Sequence, residues 1–268
     1  FFGDIIHADA SYLHDQTEIQ FAKNNYPGMW LLKESQIRNG NHYPTHGLGP
    51  VCQVMDINRG DRIEYMTSTQ SDDFSWGKKA AELAKTDSFY KEFDTNSYRG
   101  NMNTSVIRTS RGRTIMLQHD VTSPRPYSRH YMISGTKAVA QKYPLPARIA
   151  TSESWFTDEE MAEITEKYTP EIVKHIGDLA KKVGGHGGMD FLMDWRLIDC
   201  FRNGLPLDQD VYDAAAWSSI VPLSEWSVAN GSKPVPIPDF TCNSYLKNTP
   251  VNITLSGGGT TGVRNTRS

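Results

Sequence analysis

The 268-residue chain has only three cysteines, Cys52, Cys200 and Cys242, widely spaced and with no C-x-x-C pair among them. Three thiols cannot all pair within one chain, so a disulfide framework and a cysteine-based zinc site are both poor readings. Cys52 and Cys200 fall in helix-like apolar stretches, where a small buried thiol is the plain explanation. No run approaches the ~18 apolar residues that a membrane-spanning helix needs, so no membrane partner is expected. Charge of one sign is missing too. The formal net charge is -3, and Lys and Arg are scattered rather than clustered, so a nucleic-acid partner is not expected. No G-x-G-x-x-G follows a strand and opens a helix, no H-x-x-x-H or H-x-x-E-H spacing implies a metal, and no carboxylate pair stands out.

What the chain does have is bulk for a core. Six Trp, twelve Tyr and ten Phe argue against disorder throughout, despite a mean hydropathy of -0.53. Residues 4–13 alternate, with Ile6, Ala8, Ala10 and Tyr12 on one side and His7, Asp9 and Ser11 on the other. Period two over that length predicts a strand with one wet face. The chain therefore starts almost inside a strand, without Met, and reads as a piece of a longer protein. Residues 29–38 suggest a short strand or irregular structure. A helix is expected from Val51, with Pro50 in its first turn and Arg59-Gly60 as its stop. Strands are expected over 62–68, 102–109, 114–121, 131–135 and 138–143, the second and third forming a hairpin across Ser110–Arg113. Helices are expected over 74–85, from Thr157 with a capping box to Glu160, and over 171–183, 189–203 and 210–228. Grouped strands followed by helices give an α+β pattern: a mainly antiparallel open sheet with helices on one face. Residues 1–241 read as the domain, and 242–268, with their Gly-rich run Leu255–Gly262, as a mobile tail.

Three segments concentrate chemistry. Asn41–Gly47 holds two imidazoles, a phenol, a hydroxyl and an amide at a helix N-terminus, where negative charge is favoured. Tyr43 and His46 suit proton transfer there; the alternative is that they only cap and pack the loop. Gly184–Asp190 surrounds His186 with four glycines, which let backbone approach a ligand, and ends on Asp190; a plain helix linker is the competing reading. Gln118–Arg129 places Asp, Arg and Tyr127 at a strand end, groups that bind sugars and also make ordinary turns.

At these segments the sequence is similar to known proteins. Gly3-Asp4-Ile5-Ile6-His7-Ala8-Asp9-Ala10-Ser11-Tyr12 resembles the first strand of the C-terminal domain of Gfo/Idh/MocA oxidoreductases, which follows a Rossmann domain. Asn39–Val51 resembles glycoside hydrolase family 109 more specifically, and Ser123–Arg129, His186–Phe191 and Pro236–Phe240 extend the likeness. The resemblance implies a retaining α-N-acetylgalactosaminidase whose NAD+, held mainly by a preceding domain outside this chain, takes hydride from sugar C3. Proton loss at C2, elimination of the aglycone, water addition and re-reduction then follow. By carry-over Tyr43 and His46 sit at the reacting sugar, with Tyr127, His186 and Asp190 as further contacts. The partner is a terminal α-linked N-acetylgalactosamine, and the open sheet invites a homo-oligomer. The chain alone is expected to be inactive. Thr45-His46-Gly47 stands where the wider family's dehydrogenases carry Asp-x-Gly-x-His-x-x-Asp, favouring the glycosidase. Leu31 replaces a basic residue that is common after the Trp, and the match fades after Phe240. A sugar dehydrogenase and a non-catalytic sugar-binding or oligomerisation module are the alternatives.

Overall fold

The computed structural model describes residues 1–251. In chain order the elements are β1 Ile5–Leu13, α1 Thr17–Phe21, α2 Trp30–Ile37, α3 Thr45–Val54, β2 Ile63–Gln70, α4 Trp76–Thr86, β3 Asn103–Thr109 and β4 Thr114–Asp120. There follow β5 Ser128–Gly135, β6 Val139–Gln141, β7 Arg148–Ala150, α5 Asp158–Tyr168, α6 Glu171–Val183, α7 Met189–Asn203, α8 Val211–Ser218, α9 Ile220–Ala229 and β8 Val235–Pro236. The strands form one sheet ordered β7-β6-β5-β1-β4-β3-β2-β8. Only β1 and β4 run parallel; the other neighbours are antiparallel. The α+β open sheet expected from the sequence is therefore the fold.

Alternation on β3 shows which face is dry: Asn103, Ser105, Ile107 and Thr109 are buried while Val106 and Arg108 are exposed. Onto that dry face α3, α8 and α9 place Leu48, Val51, Cys52, Met55, Ala216, Trp217 and Ile220, against Ala8, Ala10, Ile107, Ile115 and Leu117. A second core joins α1, α2 and α4 through Phe21, Leu32 and Trp76. A third, much smaller, holds α6 to α7 around Ile172 and Ile176. β1 departs from simple alternation. Ile6 is exposed, Ser11 and Leu13 are buried, and the pairing with β5 shifts register between Asp9 and Ala10. A bulge re-aims side chains in this way.

The hairpin, the strand near 131–135 and the 171–183 and 189–203 helices stand where the sequence put them, and Thr157 and Glu160 form the expected capping box. Three expectations are corrected. Residues 30–37 are helical, because Gly28 and Met29 take positive φ (67° and 57°) and turn the chain so that Leu32 and Ser35 face inward. Helix α3 starts at Thr45, not Val51, with Pro50 inside it, and ends at Val54 before Asp56 and Asn58 take positive φ. The 210–228 helix is two, α8 and α9, divided at Ser219; Pro222 has no N–H to return to Ser218 and so cannot carry the first helix on. Of the stretch from Cys242 on, Tyr245 accepts a hydrogen bond from Gly60 N (2.7 Å) and Asn248 donates to Asn58 O (2.9 Å). The Gly-rich run lies outside the described residues.

Candidate active site

Glycine makes the site possible. A Cβ on Gly47 would stand 2.6 Å from Ser11 N and 2.9 Å from Ser11 O, so only glycine lets α3 lie this close on β1. The loop before it is pinned. Asn41 N donates to Ser224 Oγ (2.8 Å), and the Asn41 side chain accepts from Tyr43 N (3.0 Å). Tyr43 and His46 therefore stand over the end of β1, their rings 4.6 Å apart, with the Tyr12 ring 4.7 Å from Tyr43 and 5.0 Å from His46.

Around Tyr12 a cluster closes. His14 lies 4.9 Å away and shares a 2.9 Å hydrogen bond with the Tyr12 hydroxyl; Tyr127 lies 5.9 Å away; His119, its register partner on β4, stacks at 6.2 Å. Burial, reinforced by Tyr43 and Tyr127, pushes the Tyr12 phenol up to about 12, so it stays protonated at neutral pH. Burial lowers His46, helped by Arg129 and His186, and keeps it a neutral imidazole able to accept a proton.

Pro50 has a consequence here. A helical residue at that position would return its N–H to the carbonyl of His46; proline has none. The Tyr131 hydroxyl donates to that carbonyl instead, and Arg129 Nη1 donates to Tyr131 Oη (3.2 Å) while Nε holds the Tyr127 hydroxyl. The bulge in β5, with His130 and Tyr131 at φ of 57° and 48°, turns Tyr131 toward α3.

Tyr43, His46 and Tyr127 thus share one aromatic and imidazole cluster. His186 and Asp190 do not join its ring contacts. They pair with each other, Nδ1 donating to Oδ2 at 2.8 Å, in a solvent-open position where His186 keeps 73% of its side-chain exposure. Reading the sequence missed Tyr12, His14, Arg99 and Tyr131 as site residues, and singled out the segment ending at Arg129 without giving Arg129 a role of its own. Tyr12-Leu13-His14 at a strand end was the one local clue; the others come from segments remote in sequence.

Beside Tyr43 opens a cavity of about 380 Å³ between α2 and the end of the sheet, with Trp30, Leu31, Arg38, His42, Arg99 and His119 in its walls. That volume suits one small polar molecule. Burial, with Arg99 and Arg38 adding to it, pushes His42 down to about 3, and burial with Arg99 lowers His119 as well, so both imidazoles are neutral. Among the described residues no group of three metal-ligating side chains converges, and no helix is long and apolar enough to cross a membrane. Nor do those residues offer a glycine loop between strand and helix that would cradle a dinucleotide.

The profile described as "Glycosyl hydrolase 109, C-terminal domain" matches residues 1–247. A "Glycosyl hydrolase family 109 protein 2" of Phocaeicola vulgatus is 46% identical over 249 residues, 91% of this chain and 60% of that protein. A "Glycosyl hydrolase family 109 protein" of Shewanella woodyi is 44% identical over 264 residues, 94% of this chain and 56% of that protein. The chain thus spans less than two thirds of these relatives. Among solved structures, levoglucosan dehydrogenase in complex with NADH superposes with a TM-score of 0.57 at 11% identity, over 89% of this chain and 60% of that one. An oxidoreductase domain protein from Kribbella flavida gives 0.53 at 11% identity, over 88% and 59%. These structural neighbours share the fold of the Gfo/Idh/MocA C-terminal domain. On its sequence, over nearly its whole length, the chain belongs to the glycosyl hydrolase 109 C-terminal domain family.

Proposed function

We propose that this chain is the substrate-binding part of a retaining, NAD-dependent glycosidase that acts on terminal α-linked N-acetylgalactosamine. The observation that carries the reading is the pairing of Tyr43 and His46, half-exposed rings 4.6 Å apart, beside a cavity sized for one sugar that Tyr43 and Tyr12 line. NAD+, when bound, supplies a reversible hydride acceptor, and segments of the full-length protein outside this chain hold it. His46, a neutral imidazole, takes and returns a proton on the sugar. Tyr43 donates a hydrogen bond to the same ring, and Tyr127, packed on Tyr12 with its hydroxyl held by Arg129, is a further sugar contact. The hydrogen-bonded, solvent-open His186–Asp190 pair is a further sugar contact in this reading. The sheet face that carries Tyr65 and Val106 is the surface through which copies associate. Neither nucleic acid nor a membrane enters this reading.

The test follows aryl release from an aryl α-N-acetylgalactosaminide by the full-length protein, with absorbance at the NADH wavelength recorded in parallel. Aryl release without accumulated NADH is expected. Steady NADH formation from free sugars would replace this reading with that of a sugar dehydrogenase.

A further inference from the structure

Arg99 is 4% exposed and forms part of the cavity wall beside Tyr43. Among the described residues only Nη1 of its guanidinium hydrogen-bonds, to His119 Nδ1 (3.1 Å) and Gly40 O (3.4 Å), and Nε has no partner. Among the described residues no carboxylate lies within ion-pair distance of it. Asp120 supports it from further off, but that carboxylate is taken up by Thr122 N and Oγ1 (both 2.8 Å), by Ser123 N (3.2 Å) and by the Ser123 hydroxyl. Burial lowers Arg99 only to about 10, so it remains a cation at neutral pH. A buried cation with no carboxylate in contact is costly unless a ligand completes it. Arg38, at the same cavity, is already engaged by Glu225 (2.9 Å) with Glu34 nearby (3.7 Å). A second orphan points the same way. Gln20, 3% exposed and also in the cavity wall, has an Oε1 with no donor.

Although the Trp76 ring lies 5.9 Å from the guanidinium carbon, one cavity therefore offers a cationic donor with no carboxylate in contact and an unfilled acceptor. We infer that its ligand is an acidic sugar, with a carboxylate or sulfate ester meeting Arg99 and a hydroxyl donating to Gln20. The inference rests on the proposed sugar site in taking this cavity for the sugar-binding one. It adds that the favoured substrate carries an acidic substituent on the sugar or its aglycone. The charge-assisted contact to a planar guanidinium supplies the preference.

The test is calorimetric binding of galacturonate, galactose 6-sulfate and galactose to the full-length protein, wild type and variants, each variant checked by thermal melting. One of the acidic probes is expected to bind about tenfold or more tightly than galactose. Which acid is preferred separates carboxylate from sulfate. Arg99→Met should erase that preference, Arg99→Lys should keep part of it, and Gln20→Leu should weaken all three probes alike. Equal binding of acidic and neutral probes by the wild type overturns the inference even if Arg99→Met does not fold; so does a preference that survives in a folded Arg99→Met. Hydrolysis of the neutral aryl glycoside, measured on the same preparations, separates the two readings. Hydrolysis without acid preference removes the acidic ligand alone, and acid preference without hydrolysis removes the glycosidase alone.

Discussion

His46 combines three conditions that rarely meet in one side chain: a helix first turn, half-burial and a backbone carbonyl engaged by another residue's hydroxyl. Burial, with Arg129 adding to it, favours its neutral form, which is the form that accepts a proton. In the full-length enzyme His46→Ala should lower turnover by about a hundredfold or more with little change in melting temperature. Wild-type turnover in that variant would remove His46 from the chemistry. The direction of its shift also fixes a pH limb. Because its pKa lies below 6.5, the acid limb of kcat/KM should fall below pH 6.5, and His46→Gln should abolish that limb in the residual activity. A limb centred above 6.5 would assign the titration to another group.

At the scale of the element, α3 is the part that aims the chemistry, and two of its residues make testable demands. Gly47 admits the helix to contact with β1; Gly47→Ala would place a methyl 2.6 Å from the Ser11 amide, against backbone that cannot swing aside. A loss of about 1–3 kcal/mol in urea unfolding is expected, together with weaker activity as Tyr43 and His46 shift. Pro50 makes a subtler demand. Pro50→Ala restores an amide that competes with the Tyr131 hydroxyl for the His46 carbonyl. The variant should melt higher, since an interior proline is lost, yet turn over more slowly. Tyr131→Phe should then cost less in the Pro50→Ala background than in the wild type. Additive effects in that double-mutant cycle would show that the two are not coupled.

Across the whole molecule, the buried imidazoles link folding to pH. His42, pushed down to about 3, and His119, also lowered, stay neutral when folded but take up protons near 6.5 when unfolded. Between those values the unfolded chain binds more protons, so stability should be full above pH 6.5 and decline as pH falls toward 3. The slope from His42 alone approaches about 1.4 kcal/mol per pH unit. Urea unfolding at several pH values checks this; His42→Gln should flatten the decline if it folds.

The residues that could be read in advance are those whose evidence is local. The short Ser110–Arg113 turn between two strands exposed the β3–β4 hairpin, and the Thr157–Glu160 spacing gave the capping box, because each depends on neighbours within one turn or one strand. The dense Asn41–Gly47 loop stood out for the same reason. Errors arose where a local cue was overridden: Pro50 suggested a helix start, although the packing of Gly47 on Ser11 had already set α3 in place six residues earlier. The sequence by itself therefore determined the class of fold, most elements and the segment that holds Tyr43 and His46. Tertiary structure alone decided that Tyr12, His119, Arg99 and Tyr131 would surround them, and that Arg99 would be left without a carboxylate at a cavity wall. Those meetings depend on sheet order, on the bulge in β5 and on contacts between residues scores of positions apart, none of which has a period that a linear pattern can show.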